Sequence, residues 1–238
     1  LICDPKIDGS DEFTSGLVTA RAIMNHIANM GLPIVTEFLD PLVPQYIGDL
    51  VTTGTIGART IESQTHRQMA SGLSMPVGFK NGTSGSIDFA LDAIKAAEAN
   101  HTFIGIDHNG QSCLVSTSGN SDGYLILRGG QVPNYDQYSV KEAIGLMDKR
   151  GSTSSIIVDC SHGNSVKDFR RQKDAFASVI EQRIKGNKRL VGLMLESNLF
   201  EGSQPSTVKP FKPGVSITDG CIGFDETENL IVTAYGLL

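Results

Sequence analysis

The sequence predicts an α/β protein built on parallel strands, and three observations lead to this prediction. Short apolar or β-branched runs alternate with helical patterns along most of the 238 residues, as in βαβ units. Many of the 26 glycines directly follow such a run, where loops must approach ligands closely. Polar, ligand-type side chains follow the same runs, and parallel α/β folds carry their chemistry at those strand ends.

Six strand-like runs are each followed by a helix-like segment, and one further helix precedes them. The predicted strands are residues 34–39, 56–59, 75–80, 124–128, 156–159 and 190–195. The predicted helices are residues 14–30, 44–50, 65–73, 86–97, 140–150, 166–185 and a last one from residue 226. Apolar residues recur in the helices at three- and four-residue spacing, and Gly or Pro ends several of them.

Two more strand-like runs, residues 102–106 and 113–117, are joined by His108-Asn109-Gly110 with no room for a helix. Asn-Gly at the tip is a strong hairpin signal. The total of eight strands would close a (β/α)8 barrel, yet only six of them are strand-then-helix units. Because no repeat or low-complexity linker interrupts the chain, residues 1–238 are predicted to form a single domain with an inserted hairpin at about 102–118.

Composition excludes several functional classes. The net charge of −6 argues against nonspecific nucleic-acid binding, which requires a basic face. No apolar run is long enough to span a bilayer, and the first ten residues lack the features of a signal peptide. Four widely spaced cysteines without a Cys-x-x-Cys motif indicate reduced thiols. We therefore expect a cytoplasmic protein.

Three cations, Arg59, Lys80 and Arg128, follow predicted strands. Arginine forks suit phosphate and carboxylate groups, and lysine adds a point charge. An acidic protein that gathers cations at one set of strand ends is predicted to hold an anionic substrate. The alternative is that each cation pairs with a neighbouring acid, for example Arg59 with Glu62.

His162, Glu196 and Asp219 form a second candidate group. One imidazole and two carboxylates suit a divalent first-row metal with open positions. The alternative for His162 is a hydrogen-bonded structural residue. Cys160 shares a strand face with His162 by alternation, and we interpret its thiol as a buried small hydrophobe.

Six motifs in chain order carry a resemblance to a known family. They are Gly-Ala-Arg-Thr-Ile-Glu-Ser-Gln at 57–64, Pro-Val-Gly-Phe-Lys-Asn-Gly-Thr at 76–83, Ile-Leu-Arg-Gly-Gly at 126–130, Asp-Cys-Ser-His-Gly-Asn at 159–164, Glu-Ser-Asn at 196–198 and Ser-Ile-Thr-Asp at 216–219. Together they resemble the type I 3-deoxy-D-arabino-heptulosonate 7-phosphate (DAHP) synthases, and the resemblance covers nearly the whole chain.

The resemblance implies a transferase that condenses phosphoenolpyruvate with erythrose 4-phosphate, the first step of the shikimate pathway, on a metal-dependent (β/α)8 barrel. It implies the following roles: phosphoenolpyruvate binding by Ala58, Arg59, Lys80 and Arg128, with Asp219 also on the substrate side; catalysis by Lys80, Glu37 and His162; and metal ligation by His162, Glu196 and Asp219. The metal would be Mn, Fe, Zn or Co.

The resemblance also implies regulation and assembly. Pro44, Gln45 and Ser74 lie in segments that resemble an effector site for an aromatic amino acid, and they do not distinguish phenylalanine from tyrosine. A homo-oligomer, dimer or tetramer, is expected, with no nucleic acid or membrane as a partner.

Two family features do not occur in the sequence: the Gly-Pro-Cys-Ser segment with the fourth metal ligand, and the Lys-Pro-Arg-Thr motif for the acceptor's phosphate. Cys3 lies in a different segment and does not replace that ligand. The chain is therefore expected to hold barrel units three to eight plus the hairpin, with two open sheet edges. One alternative is an inactive truncated form that only binds anions or partner subunits. Another is a related synthase for a different aldose, which the motifs at 76–83 and 126–130 disfavour.

Overall fold

The computed structural model describes residues 2–238, which form two compact units. Unit one comprises the described part of Leu1–Phe79 together with Asp92–Gly123, and unit two comprises Lys80–Leu91 and Tyr124–Leu238. Among the described residues, no helix has the length and apolar character that crossing a membrane requires.

Unit one opens with alternating helices and strands. In order they are α1 (Phe13–Asn29), β1 (Val35–Glu37), α2 (Pro44–Ile47) with a 3-10 turn at Gly48–Leu50, β2 (Thr53–Ile56), α3 (Gln64–Ser71) and β3 (Val77–Lys80), whose last residue belongs to unit two. The three strands are parallel, with Val35 opposite Thr53 and Gly54 opposite Val77. This pairing confirms the predicted parallel α/β arrangement in unit one.

The second part of unit one follows helix α4 (Asp88–Ala97), which begins in unit two. Strands β4 (Thr102–Ile106) and β5 (Ser112–Ser116) pair antiparallel, with Ile104 opposite Leu114. The hairpin prediction is confirmed. One hairpin face is exposed and the other half-buried, as the two-residue period of a strand requires.

Unit two holds three parallel strands and three helices. They are β6 (Gly123–Leu127, from residue 124 onward), α5 (Gln137–Lys149), β7 (Ile156–Asp159), α6 (Gln172–Ile184), β8 (Leu190–Met194) and α7 (Phe224–Leu237). Leu125 lies opposite Ile156, and Ile157 lies opposite Gly192. Strands β6 and β7 are almost wholly buried, which explains why both read as continuous apolar runs.

Two predicted elements are displaced. The strand predicted at 56–59 is wrong, because the paired residues are Thr53–Ile56 and a backbone hydrogen bond from Thr60 N to Gly57 O closes a turn instead. The helix predicted from residue 166 begins at Gln172, after a 3-10 turn at Phe169–Arg171. Val166 and Lys167 have φ angles of +55° and +62°, which a right-handed helix does not contain.

Candidate active site and the hairpin cleft

Five ligand-type side chains of unit two stand at strand ends or in the loop before the last helix. Lys80 is the last residue of β3 and Arg128 directly follows β6. His162 and Glu196 come shortly after β7 and β8, and Asp219 lies in the loop that leads to α7. Parallel strands end at a common edge, so β6, β7 and β8 deliver their side chains to one region.

His162, Glu196 and Asp219 converge on a single point. The Nδ1 atom of His162 is 3.7 Å from Glu196 Oε1 and 3.5 Å from Asp219 Oδ2. One ligand atom from each residue lies within 4.8 Å of the other two. These separations leave room for a cation that all three atoms contact.

The charges of this group favour a cation. Burial raises the pKa of Glu196; the charge of His162 opposes that shift, and the charges of Asp219 and Asp159 add to it. Two neighbouring carboxylates that repel each other are stabilised by a bound positive charge. One imidazole nitrogen and two carboxylates are the donor set expected for a divalent first-row metal, so the residues fit the metal that the sequence implied.

Asp159, the last residue of β7, joins this group to Lys80. Its side chain is only 4% exposed, and its Oδ2 atom lies 3.1 Å from Lys80 Nζ and 3.3 Å from His162 Nε2. Its Oδ1 atom accepts hydrogen bonds from the amide and hydroxyl of Ser161. Burial by itself would raise the pKa of Asp159, but the His162 hydrogen bond and the Lys80 charge outweigh it and hold the pKa well below its usual range. Sequence reasoning assigned no role to this residue.

Asn81 fixes the loop that carries Arg128. Its side chain is fully buried, and its Oδ1 accepts hydrogen bonds from Arg128 N at 2.8 Å and Asn134 Nδ2 at 3.1 Å. Its Nδ2 donates to Gly82 O and Gly129 O at 2.9 and 3.0 Å. The amide of Asn81 therefore uses all its hydrogen-bonding capacity, three bonds to backbone groups near Arg128 and one to the Asn134 side chain.

Two further asparagines extend this network. Asn134 Oδ1 accepts a hydrogen bond from Gly129 N, and Asn134 N donates to Asn164 Oδ1, both at 2.8 Å. Asn164 Nδ2 donates to Leu127 O at 3.1 Å and to Asp159 O at 2.7 Å. The three amides therefore link the ends of β3, β6 and β7. Sequence reasoning missed them; the available signal was an Asn inside two of the strand-end motifs, at 81 and 164.

Three glycines let the same loops touch backbone to backbone. A Cβ atom on Gly130 would lie 2.4 Å from Gly85 Cα, and one on Gly163 would lie 2.6 Å from Gly130 N. Real Cβ atoms do not approach other atoms this closely. The close packing explains why glycine stands beside the predicted ligand residues.

The remaining predicted substrate residues, Glu37, Ala58 and Arg59, belong to unit one. Glu37 and Arg59 are exposed, and Ala58 is half-buried. The Glu37 carboxylate lies against Gly57, where an added Cβ would be 2.0 Å from Oε1. Among residues 2–238 the structure gives Arg59 no ion pair, so the alternative pairing of Arg59 with Glu62 is not observed.

Cys160 is a packing residue, as predicted. Its side chain is fully buried and contacts an apolar cluster that contains Ala175, Phe176 and Ile180. Burial and the neighbouring Asp159 charge raise the pKa of the thiol. A protonated thiol inside an apolar cluster is a poor metal ligand.

A second concave region, the hairpin cleft, lies within unit one and has a volume of about 550 Å³. Its lining includes all three residues predicted for an effector, Pro44, Gln45 and Ser74. Phe103 and Val115 line it from the half-buried face of the hairpin. Gln45 Nε2 donates to Ile106 O at 3.0 Å and so connects α2 to the hairpin.

The fold and the site together define an α/β protein that presents cations beside a His/Glu/Asp group able to hold a metal. The comparisons with known proteins identify the family. The chain belongs to the DAHP synthetase I family, whose model matches residues 1–232.

Individual relatives agree with this membership. The chain is 52% identical over 233 residues to the Tyr-sensitive phospho-2-dehydro-3-deoxyheptonate aldolase of Escherichia coli K12, covering 97% of this chain and 65% of that protein. It is 48% identical over 232 residues to the Phe-sensitive enzyme of the same strain, covering 97% of this chain and 66% of that protein. The chain thus spans about two thirds of the length of these relatives.

A solved structure of the same kind is also similar. The phospho-2-dehydro-3-deoxyheptonate aldolase of Francisella tularensis SCHU S4 matches with a TM-score of 0.95 and 43% sequence identity. The match covers 99% of this chain and 69% of that one.

Proposed function

We propose that the protein is a DAHP synthase, a transferase that converts phosphoenolpyruvate, erythrose 4-phosphate and water to DAHP and phosphate at the start of the shikimate pathway. The observation that carries the proposal is the shared carboxylate of Asp159, which contacts both Lys80 and His162. Through this carboxylate, Lys80, a cation suited to bind an anion, lies next to His162 of the metal-binding group. The reaction requires this proximity because it joins an enol phosphate to an aldehyde. Family membership supports the same reaction.

The proposed architecture is a (β/α)8 barrel of which this chain supplies units three to eight and the hairpin. The TM-score of 0.95 to a structure of which the chain covers 69% supports this reading. Assembly into a homo-oligomer, dimer or tetramer, stays a prediction.

In the proposed mechanism, cations orient the enol phosphate. Lys80 and Arg128 bind phosphoenolpyruvate through its phosphate and carboxylate, with Arg59 and the Ala58 amide as further donors. The side chains of Asn81, Asn134 and Asn164 make hydrogen bonds to the backbone of residues 127–129, so little reorganisation accompanies binding. Such pre-positioning lowers the barrier by orienting the reactants.

The acids and the imidazole complete the proposed site. His162, Glu196 and Asp219 hold the divalent metal, which when bound supplies Lewis-acid polarisation of a carbonyl oxygen. Glu37 is proposed to lie near the reacting centre, where Gly57 leaves space for its carboxylate. Asp219 is exposed and can contact the acceptor sugar as well as the metal.

The test supplies the protein, as its gene encodes it, with Mn²⁺ and both substrates, and follows phosphate release and DAHP formation. We expect product only when both substrates and the metal are present, and none from a His162→Gln variant. A second arm uses residues 1–238 alone, because turnover there would eliminate the inactive, binding-only alternative. Equal activity with arabinose 5-phosphate would favour the synthase of a different aldose.

We further propose that the hairpin cleft binds an aromatic amino acid. The supporting observation is that Pro44, Gln45 and Ser74 line one cleft with the aromatic side chain of Phe103. Apolar walls with a few polar groups suit an amino acid with a ring. The similar enzymes are named Tyr-sensitive, Phe-sensitive and Trp-sensitive.

A further inference from the structure

Asp159 holds a position that the site residues alone do not explain. Its carboxylate is nearly buried, and its two oxygens contact four donors: the Ser161 amide, the Ser161 hydroxyl, Lys80 Nζ and His162 Nε2. The last two share the same oxygen, Oδ2. Whatever changes the strength of one of these contacts must change the other.

For His162, this contact selects the orientation and the tautomer of the ring. The Nε2 atom faces Asp159 at 3.3 Å, and the Nδ1 atom faces Glu196 and Asp219. A carboxylate accepts a hydrogen bond from a protonated nitrogen, so with a cation at Nδ1 the ring proton would lie on Nε2, facing Asp159. Metal-binding histidines commonly have an outer carboxylate of this kind, which makes the ring a stronger ligand.

For Lys80, the Asp159 carboxylate partly neutralises the ammonium group and so determines how strongly that group attracts an anionic substrate. An ammonium group has three donors, and one of them points at Asp159 over 3.1 Å. The other two are available to an anion. The Lys80 side chain is only 13% exposed, so its neighbouring charges are weakly screened by water.

We propose that Asp159 is a positioning residue that couples metal binding at His162 to anion binding at Lys80, each strengthening the other; this inference rests on the proposed function. A cation held at Nδ1 would withdraw electrons from the His162 ring and so make Nε2–H a better donor to Asp159 Oδ2. The carboxylate then neutralises the ammonium less, so the anion binds more tightly. Reciprocity requires that the anion tighten metal binding by the same factor.

The test measures Mn²⁺ affinity by calorimetric titration, with and without saturating phosphoenolpyruvate, in the protein as its gene encodes it. In the unmodified protein we expect phosphoenolpyruvate to tighten Mn²⁺ binding by about 5- to 150-fold. Asp159→Asn should weaken Mn²⁺ binding about 10- to 100-fold. In this variant the Mn²⁺ affinities measured with and without phosphoenolpyruvate should be nearly equal, so that their ratio is close to one. Asp136→Asn is the matched control: Asp136 likewise accepts a serine hydroxyl and backbone amides, but at the start of α5, and its ratio should equal that of the unmodified protein.

The outcomes separate the inference from the proposed function. An unmodified protein that binds neither Mn²⁺ nor phosphoenolpyruvate refutes the proposed function and the inference with it. Two results overturn the inference alone, provided that the unmodified protein binds both Mn²⁺ and phosphoenolpyruvate. One is a ratio of Mn²⁺ affinities in Asp159→Asn that equals that of the unmodified protein. The other is an unmodified protein in which phosphoenolpyruvate does not change Mn²⁺ affinity. In that case metal and anion would communicate by direct contact or not at all.

A second measurement observes the His162 ring in the unmodified protein. In ¹⁵N-histidine-labelled protein loaded with diamagnetic Zn²⁺, the His162 ring should bind the metal through Nδ1 and carry its proton on Nε2, and added phosphoenolpyruvate should shift the Nε2 resonance. His162→Gln assigns the signals. The proposal is contradicted if the proton lies on Nδ1, or if phosphoenolpyruvate does not shift the Nε2 resonance of His162.

Discussion

His162 combines an unusual backbone conformation with a ring that is held at both nitrogens. Its φ angle is +53°, a left-handed conformation that costs a residue with a side chain about 1–3 kcal/mol. The turn offsets this cost, because the His162 carbonyl accepts hydrogen bonds from Lys167 N at 2.9 Å and Ser165 Oγ at 3.2 Å. The residue type was predictable from the motif, but the strained turn that aims the ring was not.

Arg128 provides the first test at the scale of single residues. The Asn81 side chain holds its backbone amide, so Arg128→Ala should remove the guanidinium and leave the loop in place. Losing charge-assisted hydrogen bonds to phosphoenolpyruvate should cost about 1.5–3 kcal/mol, seen as a KM for phosphoenolpyruvate raised roughly tenfold or more. Steady-state kinetics measure this, and Mn²⁺ affinity without substrate should not change.

The control for this variant is Arg171→Ala, which removes an exposed arginine that pairs with Asp174 on the surface. Surface ion pairs of this kind contribute little, so its kinetics should match those of the unmodified protein. An Arg128→Ala enzyme with normal KM and rate would remove Arg128 from the substrate site.

At the scale of elements, the loops after the strands depend on glycine for contact with one another. Gly130→Ala would place a Cβ 2.4 Å from Gly85 Cα, so one of the two backbones must move. Overpacking of this kind costs about 1–3 kcal/mol. We expect a lower urea midpoint and weaker phosphoenolpyruvate binding, because Gly130 lies two residues from Arg128.

Gly145→Ala is the matched control, since this glycine lies inside α5 and an added Cβ there meets no atom of residues 2–238 within 4 Å, apart from the neighbouring residues of its own helix. Alanine is favoured over glycine in a helix by about 1 kcal/mol, so the urea midpoint should rise. Equal effects of the two substitutions would contradict the close backbone contact described for Gly130.

The differences between predicted and observed elements have local causes. Strand β2 is Thr53–Ile56, a segment whose Thr-Gly-Thr sequence has low apolar content, so the pattern favoured the following residues. Its identity as a strand depends on pairing with β1 and β3, which no local pattern reports. Residues 166–168 look helical by composition, yet the turn that supports His162 takes Val166 and Lys167 into the left-handed region.

At the scale of the whole molecule, the hairpin cleft of unit one is the proposed effector site. Its walls come from α2, the end of α3 and the hairpin, segments far apart in sequence. Sequence resemblance singled out Pro44, Gln45 and Ser74, and the structure adds Phe103 and Val115 to the same cleft. A ligand in the cleft would bridge these segments and stabilise unit one.

We therefore expect an aromatic amino acid to raise the thermal midpoint of the protein. At a concentration 100 times its Kd, a ligand that binds only the folded state adds about 2.7 kcal/mol of stability. Thermal denaturation with tyrosine, phenylalanine and tryptophan measures the effect and ranks the three. Ser74→Trp, which fills the cleft from an exposed position, should abolish the shift.

The control is Ser10→Trp, another exposed serine of unit one that does not line the cleft. It should keep the ligand-induced shift. A shift that survives Ser74→Trp would move the amino-acid site elsewhere in the protein.

Local sequence patterns were sufficient to predict the parallel strands, the hairpin and the strand ends that carry Lys80, Arg128, His162 and Glu196. This is because strand and helix periods and turn residues are properties of neighbouring positions in the sequence. Only the tertiary structure revealed that one oxygen of Asp159, Oδ2, contacts both Lys80 and His162. The contact between Lys80 and Asp159 joins residues 79 positions apart, and the asparagine network links three strand ends. Such contacts depend on which strands pair and how deeply their ends are buried, and chain folding alone determines both.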